Sequence, residues 1–245
     1  MIYTKRFLNS AAAKRLPKWI QSHRVFRDNS KIKKVFPEIG LSNCVDDCPI
    51  PITDYDGRNK NMKIVFSSDG ITGLWDIATM SMRGVLSCMH WDNKPHCTHL
   101  IGSMVDPCCG IIYMTDGTKT EYGSSILKRA LVRFATSHDN TKFVYIDRIY
   151  TKSSNTNPLV YENKDPRQAD ISNLFTAFLK AKTWLPVFAT QSDMPSAYRY
   201  QSVIPRAKIL AKLPPNYLSL VDCGMSYSPP DCADTELTNL LDDYN

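Results

Sequence analysis

Between Lys142 and Tyr150 the chain is apolar at odd and even positions alike, broken only by Asp147 and Arg148. Successive side chains of a strand point to opposite faces, so a strand of this pattern needs cover on both sides and belongs in the middle of a sheet. The chain must therefore supply other strands and layers to go over them. Met62 to Phe66 reads as one such strand, and Gly110 to Met114 as another, closed by an Asp116-Gly117 turn. Leu185 to Thr190 reads as a third, short one.

Helices supply the cover. Ile171, Leu174, Phe175, Phe178 and Leu179 recur at i, i+3, i+4, i+7 and i+8, with Asp170 placed to cap the N-terminus. Leu74, Ile77, Ala78, Val85 and Cys88 lie near one face of a second helix over Leu74 to Cys88. Asn9 to Phe26 forms a third, kinked at Pro17. Ile126 to Phe134 fits two periods. Leu127, Ala130, Leu131 and Phe134 suit a helix capped by Ser124 or Ser125, whereas Leu127, Arg129, Leu131 and Arg133 share one face of a strand. The helix is expected. Residues 36–60 carry three prolines and read as an irregular connection, and a short acidic helix over Asp234 to Leu241 closes the chain.

Helix and strand patterns do not alternate regularly, so a doubly wound sheet is not indicated. The expectation is α+β: a sheet flanked by helices, with extended N- and C-terminal segments. Residues 1–34 form a basic arm or helix, 35–220 one core domain and 221–245 an acidic tail. Residues 1–34 hold ten Lys or Arg against Asp28 alone, and residues 221–245 hold six acids and no base, within a net charge of +6. Such an arm suits a polyanion, or docks on the acidic tail within or between subunits. Hydrophobic residues at 43% and charged residues at 22% exclude a disordered chain. No run of 18 apolar residues is present, so no membrane span is expected. The N-terminus lacks the apolar region of a secretory signal, although its first 27 residues, free of acid, also fit an organelle transit peptide. The eight cysteines are expected as reduced thiols in a cytosolic compartment.

Three chemistries have candidate residues. Zinc takes closely spaced Cys and His pairs, and Cys88, His90, His96, Cys97, His99, Cys108 and Cys109 are the candidates. No Cys-x-x-Cys occurs, so no cofactor is expected and zinc is the alternative. A cysteine nucleophile is the second, with Cys88 beside His90 as base. Buried, packed thiols are the simpler reading of both. Nucleic-acid binding is the third, through Lys14, Arg15, Lys18, Arg24, Arg129, Arg133, Arg148, Tyr150, Tyr198, Arg199 and Tyr200. Guanidinium groups meet phosphates and aromatic rings stack on unpaired bases. No phosphate-loop or dinucleotide-binding glycine pattern accompanies them.

Met82-Arg83-Gly84-Val85-Leu86-Ser87-Cys88-Met89, then Arg129-Ala130-Leu131-Val132-Arg133-Phe134, then Ile146-Asp147-Arg148-Ile149-Tyr150-Thr151, resembles uncharacterised proteins of tailed bacteriophages. The resemblance covers about 70 residues, from Met82 to Thr151. It implies a phage origin and life in the host cytoplasm or the virion, and it implies no activity. One acid among arginines, Arg129, Asp147 and Arg148, is expected to form a charge-assisted network near Ser87 and Cys88. The leading expectation is a non-enzymatic phage protein binding single-stranded nucleic acid or RNA. A virion or assembly component, homo-oligomeric or held to a phage or host protein by its charged termini, comes second, and a Cys88 enzyme third.

Overall fold

The computed structural model describes residues 7–14, 18, 26, 30–37, 39, 41, 43–53, 58–77, 97–120, 123–136, 140–151 and 168–189. In chain order the strands are β1 (Cys44–Asp47), β2 (Ile52–Thr53), β3 (Asn59–Lys60), β4 (Lys63–Ser67), β5 (Cys109–Thr120), β6 (Gly123–Thr136), β7 (Lys142–Ile146), β8 (Tyr150–Thr151) and β9 (Val187–Phe188). The helices are α1 (Ala11–Lys14), α2 (Lys31–Val35), α3 (Cys97–Val105) and α4 (Gln168–Thr183), with a π-helix over Gly70–Ile77. The main sheet runs β1-β4-β5-β6-β7-β9, and β8 pairs with β6 beyond the end of β7. All pairs are antiparallel except β7 with β9, so the sheet is mixed and the architecture is α+β, as expected.

β7 is an interior strand, as its two-faced apolar pattern requires. One face of the sheet presents Ile64, Phe66, Ile112, Met114, Ala130, Val132, Phe134, Val144 and Ile146 to a single core. α4 fills that core with Ile171, Phe175, Phe178 and Leu179, the stripe legible in the sequence. Burying each of these side chains stabilises the fold by about 1.5–3 kcal/mol. α4 begins at Gln168, so Asp170 lies in its first turn rather than at its cap, where the helix dipole still favours a carboxylate. The π-helix and α3 lie over parts of the other face. Asp69 starts the π-helix: its carboxylate accepts the Ile71 N–H at 2.8 Å and its carbonyl the Leu74 N–H at 2.9 Å.

Four expectations are corrected. Ile126 to Phe134 is strand, within β6. The helical spacing there is a coincidence of a segment apolar on both faces: Ala130, Val132 and Phe134 enter the α4 core while Leu131 is buried on the far side. Asp116-Gly117 does not end its strand. Gly117 takes φ +79° in an irregularity where pairing jumps from Thr115–Ile126 to Lys119–Ser124, and β5 then continues to Thr120. Residues 36–60 contain β1 and the β2–β3 pair. Residues 1–34 are not solely an arm: Phe7, Ala13, Phe26, Lys31 and Ile32 are buried, with Phe7 packed on Phe26 and Trp75. Expectations for most of Asn9 to Phe26, for 78–88 and for 221–245 lie outside the described residues.

The sheet curls around α4. Lys182, in the last turn of α4, bonds Asp46 of β1 at 2.8 Å, while three residues on from Trp184 the chain enters β9 at the opposite edge. Trp184 itself closes α4, its N–H bonded to the Lys180 carbonyl at 3.0 Å and its φ at 60°. That left-handed position favours glycine, and a larger residue there costs about 1–2 kcal/mol. Trp184→Gly is expected to stabilise the fold by roughly 0.5–1 kcal/mol, after glycine's own entropy cost, read as a higher urea midpoint.

Candidate nucleic-acid interface

Arg129 and Arg133 lie on the β6 face away from α4, and both are buried, at 1% and 2% exposure. Their expected place on an open, phosphate-facing surface is therefore corrected, and each has its own reason for burial. Arg133 serves the C-terminus of α3. A helix end leaves its last carbonyls without intrahelical partners and carries partial negative charge. Lys31, fully buried at the start of α2, donates to the Ser103 and Met104 carbonyls at 3.1 and 3.0 Å. Arg133 donates to the Ser103 hydroxyl at 3.3 Å and pairs with Asp106 at 3.5 Å. Asp106 also accepts the Cys108 N–H at 2.8 Å, turning the chain from α3 into β5. Burial holds the Lys31 ammonium below its ordinary pKa, and the Asp106 carboxylate is among the groups working against that.

Cys108 and Cys109 flank this clamp. Cys108 joins the α4 core, whereas Cys109 lies opposite Arg133 across β5 and β6, so the two thiols point to different sides of the sheet and do not converge on one ion. Burial raises both above the usual thiol range, Cys108 strongly. Cys97 and His99 fall on the first turn of α3, and Cys88, His90 and His96 lie outside the described residues. Among the described residues no group of three His, Cys, Asp or Glu side chains is placed to hold a metal. Cys44, Cys48, Cys108 and Cys109 are free thiols.

Arg129 belongs to a different arrangement. The register sets Val45, Val65, Tyr113, Arg129 and Tyr150 directly opposite one another across β1, β4, β5, β6 and β8. Facing pairs in antiparallel strands share a face with Cβ atoms about 4.5–5.5 Å apart, so these five side chains form one row. Tyr113 and Tyr150 are half-buried, on either side of Arg129. The Arg129 guanidinium stacks on the Tyr150 ring, 4.4 Å from its centroid, and so orients the ring. Burial raises the Tyr113 phenol, which stays a neutral hydrogen-bonding group at physiological pH. Exposed Lys63 lies two residues from Val65 on the same face of β4, and exposed Arg148 lies two residues before Tyr150. The buried Asp147 carboxylate accepts the Arg148 N–H at 2.9 Å. Arg148 is not in a strand, contrary to expectation; Asp147 to Ile149 form the break between β7 and β8.

Of the remaining sequence candidates, Lys14 and Lys18 are exposed, and α1, which ends at Lys14, packs on α3. Arg15, Arg24, Tyr198, Arg199 and Tyr200 lie outside the described residues. Sequence reasoning missed Tyr113 and Lys63. Alternation of Ile111, Tyr113 and Thr115 was a readable signal for Tyr113, but its alignment with Arg129 comes only from the register.

Two outcomes test this arrangement. Removing one partner of a buried ion pair costs about 3–5 kcal/mol, so Asp106→Ala is expected to lower unfolding free energy by that amount in urea titration. Burial pushes the Cys44 thiol up from 9.0 to about 11, with Lys182 opposing. The unfolded thiol ionises first, so stability falls as pH rises from 9.0 to about 11, and Cys44→Ala flattens that part of the curve in urea midpoints measured across the range.

No protein-family model matches the chain, and neither a curated protein nor a solved structure matches it.

Proposed function

We propose that this protein binds single-stranded nucleic acid, RNA included, without acting as an enzyme. The observation that carries the reading is the cross-strand row Tyr113–Arg129–Tyr150, with exposed Lys63 and Arg148 beside it. Unpaired bases stack on aromatic rings presented by a sheet, and cations next to the rings follow the phosphates. Arg129 is a positioning residue in this account: its stacked guanidinium fixes the Tyr150 ring and lends the row positive charge. Lys14 and Lys18 are further exposed cations, on the N-terminal segment. The resemblance to tailed-phage proteins extends the proposal to a role in the infected host cytoplasm.

Fluorescence anisotropy with labelled single-stranded RNA, single-stranded DNA and duplex DNA at several salt concentrations tests it. Single strands are expected to bind more tightly than duplex, with affinity falling steeply as salt rises. Tyr113→Ala and Tyr150→Ala each weaken binding by about 1–3 kcal/mol, and Lys63→Gln or Arg148→Gln reduces the salt slope by about one. Absence of binding at low salt, or binding indifferent to both tyrosines, overturns the proposal.

A further inference from the structure

Tyr113 and Tyr150 stand on the two strands that flank β6, in register with Arg129 between them. Neighbouring strands lie about 4.7–4.9 Å apart, which sets the two tyrosine backbones about 9.5 Å apart. That is nearly three times the roughly 3.4 Å step between stacked bases of one strand. Arg129, at 1% exposure, fills the place between the tyrosines, so the row holds two separate platforms rather than one continuous one. Val45 and Val65, which complete the row, add no ring. The Tyr150 ring gives one face to the Arg129 guanidinium, 4.4 Å from its centroid, and so takes at most one base. A base inside a stacked run has a neighbour on each face. A tyrosine ring can stack on it only after one neighbour leaves, and two bases seated on platforms this far apart are not stacked on each other. Binding therefore carries a cost of unstacking, small for thymine or uracil and larger for adenine.

We propose that the row selects single strands by how weakly their neighbouring bases stack, seating two bases splayed apart. Runs of thymidine or uridine are then preferred to runs of adenosine. This rests on the nucleic-acid reading above and specifies the ligand of that same site. The choice falls to the rings and not to the cations. Every nucleotide carries the same phosphate, so Lys63 and Arg148 add affinity without distinguishing one run from another.

The test uses the full chain, fluorescence anisotropy at low salt and three labelled DNA dodecamers. One is all thymidine, one is all deoxyadenosine, and the third is deoxyadenosine with every second nucleotide abasic. The third keeps the purine face but removes the neighbours stacked on it. The thymidine and the interrupted strands are each expected to bind about fivefold or more tightly than uninterrupted deoxyadenosine. A Tyr113→Leu/Tyr150→Leu double variant keeps apolar cover over Arg129 without a ring, and is expected to bind all three within about twofold of one another. Uninterrupted deoxyadenosine bound as tightly as the other two overturns the proposal and leaves the nucleic-acid reading standing. A preference for thymidine alone, with the interrupted strand no tighter than the uninterrupted one, also overturns it, by tying selection to base identity. A preference that persists in the double variant does the same, by placing selection in the backbone. Failure of all three strands to bind overturns the nucleic-acid reading, and this inference with it.

Discussion

A lysine ammonium sealed from water is tolerated only where acceptors surround it, and in this protein those acceptors are the last carbonyls of α3. Lys31 and Arg133 bring N–H donors to a helix end that carries partial negative charge, and Asp106 supplies the counter-charge to Arg133. The three residues come from α2, from β6 and from the turn into β5. Satisfying one helix terminus thus fixes α2, α3 and two long strands against one another. It also decides which cations are absent from the surface. Arg133 is part of the frame, so the proposed recognition draws on exposed cations such as Lys63 and Arg148 near the tyrosine row.

The two faces of the sheet do different jobs for a chemical reason. The face that receives α4 is apolar across β4, β5, β6 and β7, and Gly110 lets the Phe66 ring press onto the β5 backbone, where a Cβ would sit 2.5 Å from the ring. The opposite face carries the polar work: the helix clamp at one end of β6 and the Tyr113–Arg129–Tyr150 row nearer its start. Arg129 and Arg133 are four residues apart on the same face of one strand, yet one stacks on an aromatic ring and the other grips a helix end.

Elements that bury a single apolar stripe were legible in the sequence, because such a stripe fits one period only. α4 follows from that rule, whereas β4 and the interior place of β7 were legible as short runs apolar on both faces. β6 was misread because a strand apolar on both faces also satisfies the helical spacing, and the choice between them rests on the partners β5 and β7. α3 was overlooked although Leu100, Ile101, Met104 and Val105 make a buried stripe, since Cys97 and His99 at its start read first as ligands. The arginines were assigned to solvent because a charge on a strand face gives no sign of whether water or a helix terminus stands opposite. Tyr113 became part of a site only through its register with Arg129.

Among the described residues one pairing is parallel, Val144 with Val187 and Tyr145 with Phe188, and closing it brings together positions far apart in sequence. The β5–β6 pair closes between Thr120 and Gly123, whereas β9 reaches β7 only after the chain has passed through α4. A strand of two residues sets few bonds against the entropy of closing that loop, so this contact is cheap to lose. Amide exchange at Val187 and Phe188 is accordingly set by local opening rather than by global unfolding, and each such opening loosens the helix end that holds Lys182 against Asp46.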